Sequence, residues 1–226
     1  MGNFYIIATP IGNLEDITLR ALRILKEVDL ILCEDTRVTK FLLDNFNIKT
    51  QFLSYHQHSR QNKVDYILEA LKEKNIALVT DSGTPGISDP GNKLIKEALN
   101  KFKDKLKIIP IPGPSALTAI ASVSGFAMDK FLFMGFPPAK NKRKKFFEKI
   151  ASSELPVIFY ESSYRILKSL AELELLNKNF NIVIGRELTK KFETVYRGKI
   201  KETIEKLKKD PIKGEFAVIV KNEQKI

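Results

Sequence analysis

Residues 77–91 read ALVTDSGTPGISDPG. An apolar run over 76–79 leads into them and has the length and composition of a buried strand. A dense cluster of Asp, Ser, Gly, Thr and Pro follows, and then a helix-like run containing Leu94, Ile95, Ala98 and Leu99. Strand, glycine-rich loop and helix in this order place the loop at the carboxyl edge of a sheet, where open α/β sheets bind small ligands. Gly83, Gly86 and Gly91 permit close backbone approach or positive φ, and Pro85 and Pro90 stiffen the loop. Asp81 and Asp89 are its carboxylates, and no Lys or Arg stands between Thr80 and Asn92. Neither the phosphate-cradling G-x-x-x-x-G-K-[ST] nor the dinucleotide G-x-G-x-x-G is present. Acceptor groups beside bare backbone suit a ligand with hydroxyls, an amino group or a positive charge. The plain alternative is an ordinary β–α turn with an Asp helix cap.

Toward the N terminus, residues 4–8 predict a strand that runs straight into Thr9-Pro10-Ile11-Gly12-Asn13. Asp16 or Thr18 can cap the next helix, whose buried face is Ile17, Ala21, Ile24, Leu25 and Val28. Residues 30–33 form a strand ending in Glu34-Asp35-Thr36-Arg37, and a helix follows with Phe41, Leu42 and Phe46, Asn47 lying near its end. Residues 50–55 are strand-like, 55–62 form a polar loop, and Val64, Ile67, Leu68 and Leu71 mark a further helix. Downstream of the glycine-rich loop, a strand over 106–111 runs into Pro112-Gly113-Pro114-Ser115, with Ser115 placed to cap a helix over 116–123. Alternating strands and helices predict a mostly parallel sheet.

The pattern changes after Gly125. A strand over 131–136 ends at Pro137-Pro138, and the densest basic run of the chain, Lys140-Asn141-Lys142-Arg143-Lys144-Lys145, comes next. Residues 157–160 form a strand ending at Glu161-Ser162-Ser163, and 164–176 form a helix. Strands over 181–185, 194–199 and 215–220 are closely spaced, which predicts hairpins and a mixed or antiparallel sheet. The expected architecture is therefore α/β in two lobes. The boundary falls within 112–125 and is drawn as 1–114 and 115–226.

The charge balance is +11, with 43% hydrophobic and 29% charged residues, normal for a soluble globular protein. An anionic partner such as nucleic acid fits the excess of cations, as does a plain lysine-rich background. Cys33 is the single cysteine, so no internal disulfide forms, in keeping with a reducing cytoplasm. His56 and His58 stand as H-x-H without the further ligands of a zinc site, and no metal site is expected. No apolar run reaches the length of a membrane span, and the start lacks a basic leader.

Six polar or turn-rich segments each follow a strand: 9–13, 34–37, 81–91, 112–115, 160–163 and 186–190. Parallel strands would gather them on one edge of each lobe and form a cleft. No G-x-S-x-G elbow is present and the histidines lie outside these segments, so covalent catalysis is not expected. Glu34, Asp35, Glu161 and Glu187 are candidate bases or hydroxyl-positioning groups. Arg37, Arg186 and Lys190 could hold phosphate oxygens. Each of these side chains also suits a salt bridge. The run 140–145 reads as a phosphate-backbone contact or as a solvated loop, and without an interleaved aromatic it does not support base stacking.

Taken together, ATPIGNLEDIT, EDTR, DSGTPGISDPG, PGPSA, GFPPAK, FYESSYR, RELTKKFE and KGE resemble the bacterial small-subunit ribosomal RNA methyltransferase I group of the tetrapyrrole methylase superfamily. The resemblance covers essentially the whole chain. It implies a two-lobed, cytoplasmic homodimer with the cofactor, S-adenosylmethionine, in the cleft between lobes. It implies methylation of the ribose 2′-hydroxyl of a cytidine in the decoding region of 16S ribosomal RNA, as naked RNA or within the small ribosomal subunit. Carried over by matching segments, the cofactor contacts are Ile11, Ser82, Gly83, Thr84, Ile87, Ser115, Ala116, Tyr160, Glu161 and Leu188, with Gly214 and Glu215 near the adenine. Glu34, Asp35, Arg37 and Lys190 are the expected groups for alignment or proton acceptance. A sulfonium is cationic, and a lysine-free acidic loop tolerates it. The loop YHQHSRQN at 55–62 departs from the Asn-Glu that the resemblance leads one to expect near its end. A small-molecule methyltransferase acting on a tetrapyrrole, and a non-catalytic RNA-binding assembly protein, are the competing readings.

Overall fold

The computed structural model describes residues 1–56, 59–89, 91–177 and 179–222. Gln57, His58 and Pro90 lie outside the described residues, and with them the H-x-H pair, part of the 55–62 loop and one of the two loop prolines. The chain divides into two compact units, Met1–Ser115 and Ala116–Ile226.

The first unit contains β1 (Asn3–Ile7), α1 (Leu19–Glu27), β2 (Leu30–Cys33), α2 (Thr36–Asn45), β3 (Phe52–Ser54), α3 (Gln61–Ala70), β4 (Ile76–Leu78), α4 (Asn92–Phe102) and β5 (Lys107–Ile111). Its five strands are all parallel, in the order β3-β2-β4-β1-β5. Both faces are covered, as a parallel sheet requires. Phe4, Ile76 and Leu78 meet Ile67 and Leu68 of α3 and Leu94 and Ala98 of α4 on one face. Ile7, Ala77 and Val79 meet Ala21 and Leu25 of α1 and Leu42 and Leu43 of α2 on the other. Each fully buried Val, Leu, Ile or Phe among them contributes about 1.5–3 kcal/mol.

This layering places the site. β1 and β4 are neighbours, paired Phe4 to Ile76 and Ile6 to Leu78, yet β1 leads to a helix on one face and β4 to a helix on the other. Their loops diverge at the carboxyl edge and leave a crevice there, the topological switch point of an open α/β sheet. Helix starts follow local chemistry. Thr18 Oγ accepts the Ala21 amide at 3.0 Å and Asp35 Oδ1 accepts the Arg37 amide at 2.8 Å, each satisfying an otherwise orphaned donor. Asp16 instead lies in a short 3-10 turn, Leu14–Asp16, so Thr18 is the cap.

The second unit contains α5 (Ala116–Ser122), β6 (Leu132–Phe133), α6 (Arg143–Ala151), β7 (Val157–Ser162), α7 (Ile166–Leu176), β8 (Asn181–Arg186), β9 (Thr194–Lys199), α8 (Ile200–Leu207) and β10 (Glu215–Lys221). Its sheet order is β6-β7-β10-β8-β9, with β6 parallel to β7 and every other pair antiparallel. Helices α6, α7 and α8 cover one face through Phe147, Leu170 and Leu207. On the opposite face Gly185 admits α5, since a Cβ there would lie 2.7 Å from Ile120 Cδ1.

Four expectations are corrected here. β8 and β9 form a hairpin, but β10 does not continue it; α8 intervenes, and β10 enters the middle of the sheet between β7 and β8. The strand over 131–136 shortens to Leu132–Phe133, because an edge strand pairs on one side only and two prolines follow. The helix over 164–176 starts at Ile166. The second half of the basic run is not a loop but the first turn of α6.

Candidate cofactor and active site

In the first unit the turns after β1, β2, β4 and β5 all lie on the carboxyl edge, as parallel strands dictate. The first and third are stitched together. Thr9 N donates to Gly83 O at 2.9 Å and Gly83 N to Thr9 O at 3.1 Å, while the buried Thr9 hydroxyl donates to Thr80 O at 3.0 Å. Thr84 Oγ1 donates to Pro114 O at 3.2 Å and ties in the PGPS turn. Gly83 holds φ +82° and Gly86 φ +81°, where an L side chain is strained, and Ile11 Cγ2 lies 3.4 Å from the position of a Cβ on Gly83. The glycines let the rim follow this path; the Gly83 amide and carbonyl are both engaged by Thr9, and the Gly86 carbonyl accepts Asn92 Nδ2 at 3.0 Å. Ser82 and Ile87 are exposed on it, and Ile11 and Gly83 are buried beneath.

The EDTR turn joins the same cluster. Asp35 N donates to Asp81 Oδ1 at 2.9 Å. Arg37 bonds the Asp35 carboxylate, Nε to Oδ1 at 3.0 Å. Those hydrogen bonds, from the Arg37 side chain first and its amide second, hold the Asp35 carboxyl down at about 2. Glu34 behaves oppositely: burial, with Asp81 second, pushes its carboxyl up. Two adjacent acids are thus separated in basicity, with Glu34 the better proton acceptor and Asp35 a fixed anion. Cys33, at the end of β2, is fully buried, and burial pushes its thiol up. Native protein is therefore expected to leave Cys33 unreacted with Ellman's reagent at pH 8, with one thiol appearing on unfolding in guanidinium. Rapid labelling of the native protein would show that β2 opens locally.

In the second unit β7 and β8 are both antiparallel to β10. They run the same way, so FYESSYR and RELTK meet one edge, beside the KGE turn that opens β10. Lys190 Nζ bridges Glu187 Oε1 at 3.0 Å and Glu215 Oε2 at 2.9 Å, and Glu187 Oε1 also accepts the Glu215 amide at 3.0 Å. Burial pushes the Lys190 ammonium down, but the two carboxylates outweigh it and leave it raised. Burial likewise pushes Glu187 up, and the Glu215 amide and Lys190 more than offset it. Lys190 is therefore a fixed cation and not a neutral base. The loop is strained, with Glu187 at φ 51° and Thr189 at φ 67°, a cost of order 1–3 kcal/mol each that persists only where surroundings impose it. Gly214 makes the clamp possible, since a Cβ there would lie 2.3 Å from Glu187 Cδ.

Glu161 lies differently from the side chain expected at a ligand. It is 1% exposed. Its carboxylate accepts Ser169 Oγ at 2.6 Å and its own neighbour's amide, Ser162 N, at 2.8 Å, and pairs with Arg165 at 2.9 Å. Arg143, from the basic run, is buried too, bonding Glu172 Oε2 at 2.9 Å, Ser169 Oγ at 2.8 Å and Pro138 O at 3.2 Å. Arg143 is thus removed from the phosphate-contact reading. Tyr160 lies beside it on β7, half-buried with Phe133 and Phe136 edge-on at 5.0 and 5.5 Å. Leu188 is buried in the RELT loop, and Ser115 and Ala116 are half-buried at the start of α5. The pairing roles of Thr9, Arg143 and Gly214 went unread in the sequence. A lone Arg within a lysine run was the available signal for Arg143, because Arg is preferred for buried, multidentate pairing.

Tetrapyrrole (Corrin/Porphyrin) Methylases match this chain over residues 3–204. A ribosomal RNA small subunit methyltransferase I of Mycoplasmopsis pulmonis is 45% identical over 221 residues, 97% of this chain and 97% of that protein. The protein of the same name from Thermotoga maritima is 40% identical over 225 residues, 99% of this chain and 100% of that one. Among solved structures, a diphthine synthase superposes with a TM-score of 0.73 at 14% identity, covering 98% of this chain and 90% of that one, a likeness of fold. The chain belongs to the tetrapyrrole methylase family and, within it, to the ribosomal RNA small subunit methyltransferase I group.

Proposed function

We propose that this chain transfers a methyl group from S-adenosylmethionine to the ribose 2′-hydroxyl of a cytidine in the decoding region of 16S ribosomal RNA. The observation that carries the reading is identity of 40% and 45%, end to end, with relatives named for methylating small-subunit ribosomal RNA. The rim chemistry supports the cofactor: the loop after β4 has glycines at 83 and 86 with no side chain to block close approach, the carboxylates Asp81 and Asp89, and no cation to repel a sulfonium. Ile11, Ser82, Gly83, Thr84, Ile87 and Ser115 would hold it from the first unit. Ala116, Tyr160, Glu161 and Leu188 would do so from the second, Glu161 through its backbone, with Gly214 and Glu215 toward the adenine. When bound, S-adenosylmethionine supplies an electrophilic methyl on a positively charged sulfur.

A ribose hydroxyl attacks only when aligned and relieved of its proton. Glu34, with its raised carboxyl, is the proton acceptor in this reading. Asp35 and Arg37, locked to each other and, through the Asp35 amide alone, to Asp81, position. Lys190 holds the RELT loop. Alignment of oxygen, carbon and sulfur supplies much of the acceleration. The enzyme is read as a cytoplasmic homodimer acting on 16S ribosomal RNA or the small subunit. Among the described residues no helix is long and apolar enough to cross a membrane.

Nucleotide-resolution mapping of ribose methylation on 16S RNA from a strain lacking the gene tests the reading. Loss of one cytidine mark in the decoding region, restored by the gene, is the expected result. An unchanged map with methyl transfer to a porphyrinogen would favour a small-molecule enzyme. An unchanged map without cofactor binding in calorimetry would favour an assembly protein.

A further inference from the structure

The carboxyl ends of β6, β7 and β8 share one edge of the second unit, and each is followed by an uncovered aromatic ring. Phe136 follows β6 and is 52% exposed, Tyr164 follows β7 at 96%, and Phe192 follows β8 at 66%. Adjacent strands lie about 4.8 Å apart, so the strand ends carrying these rings span about 15 Å. Single exposed apolar residues are unremarkable, but three rings from three loops on one edge mark a contact surface.

Lysines stand near two of them in sequence. After Phe136 comes an open groove of about 700 Å³ lined by Pro138, Lys140, Lys142, Lys145, Phe146 and Lys149. Among the described residues those four lysines carry no ion pair; in the run only Lys144, with Glu148 at 3.7 Å, and the buried Arg143 do. Lys191 Nζ stands 5.6 Å from the Phe192 ring centroid. The carboxylates of the RELT loop and the KGE turn do not oppose them freely: Glu187 and Glu215 hold Lys190, and Glu193 accepts the Thr189 amide. The basic run has no aromatic of its own in sequence, but the topology sets the loops that carry Tyr164 and Phe192 on the same sheet edge as the turn that leads into it.

Stacking faces beside unpaired lysines are what single-stranded nucleic acid requires, since every base has a π face and every linkage a phosphate. We propose that this edge binds an unpaired RNA strand, with Tyr164 and Phe192 as stacking platforms for bases and Lys140, Lys142 and Lys145 as contacts for its phosphates. The proposal rests on the ribosomal RNA reading and deepens it by naming the form of RNA that docks: looped or melted, and not duplex. A duplex keeps its bases stacked on one another and leaves the rings without partners.

The test is fluorescence anisotropy with a labelled single-stranded RNA of about 12 nucleotides, with the same sequence as a duplex for comparison. Tyr164→Ala and Phe192→Ala are each expected to raise Kd about tenfold without changing its salt dependence. Tyr164→Phe keeps the ring and should stay within about twofold of wild type. Lys142→Ala and Lys145→Ala should each lower the slope of log K against log salt by about 0.7. All four positions are exposed, and thermal melting checks that the variants fold. Wild-type affinity in both aromatic variants, or duplex bound as tightly as single strand, overturns the proposal. Methylation of 16S RNA by wild type separates this from the reading above. Methylation with normal binding by the aromatic variants sinks the stacking surface alone. Absent methylation with ring-dependent binding sinks the ribosomal RNA reading and leaves the surface standing.

Discussion

Replacing Arg143 with alanine is expected to destabilise the second unit by about 3 kcal/mol, since it weakens a buried ionic network and leaves buried acceptors unsatisfied. The guanidinium is 7% exposed and stands over the Phe147 ring at 4.9 Å. It bonds Glu172, Ser169 and the Pro138 carbonyl, and its Nη1 lies 3.8 Å from Glu161 Oε2. Arg165 completes the set by bonding Glu161 and the Pro137 carbonyl. Two arginines and one buried glutamate therefore fasten the GFPP turn to β7 and α7. Removing Arg143 leaves Ser169 Oγ without a donor, Pro138 O without a partner, and Glu161 with half its compensation. Lys144→Ala, one residue along, is the contrast: its side chain is exposed and its pair with Glu148 is 3.7 Å long, so the change should stay within about 0.5 kcal/mol. Urea unfolding followed by circular dichroism measures both. Equal midpoints for the two variants would show that the buried network contributes nothing to stability.

The same residue shows where sequence reasoning ends. Period and punctuation revealed the parallel sheet of the first unit, because its strands are short, mostly apolar runs and all but β3 are followed within three residues by Gly, Pro or Asp. The switch point between β1 and β4 was accessible only as an edge; which loops touch depends on strand order, and Thr9 and Gly83 are 74 residues apart. In the second unit, spacing suggested consecutive hairpins, whereas β10 pairs with β7 and β8. Non-local pairing leaves no mark in a local window. Glu161 read as a base or hydroxyl-positioning group because it sits in a polar strand end; a buried carboxylate with its compensating arginines 18 and 4 positions away in sequence looks the same on paper. The positive φ of Glu187 and Thr189 was hidden for a related reason: neither is a residue that advertises a left-handed conformation.

Lys190→Ala is expected to lower the single-turnover rate of methyl transfer by about 100-fold, the effect of a shift of roughly 1 Å in a positioned group, while the affinity for S-adenosylmethionine survives. Lys190 cannot accept a proton at neutral pH, because the two carboxylates keep its ammonium charged. Its contribution is to hold Glu187 and Glu215 together, and so to impose the strained turn carrying Leu188 and Thr189. Gly214→Ala reaches that turn by another route. A methyl group at φ +94°, 2.3 Å from Glu187 Cδ, has to expel the Glu187 carboxylate from the Glu215 amide with Lys190 still present. Both variants should be slow if loop geometry is what matters. A slow Lys190→Ala beside a normal Gly214→Ala would assign the effect to the ammonium itself. Asp35→Ala belongs to the same experiment in the first unit, where the fixed anion caps α2 and binds Arg37. It too should lose turnover and keep cofactor binding in calorimetry. Near-normal methylation by both Asp35→Ala and Lys190→Ala would remove the two clamps from the mechanism and leave Glu34, with its raised carboxyl, as the remaining group to test.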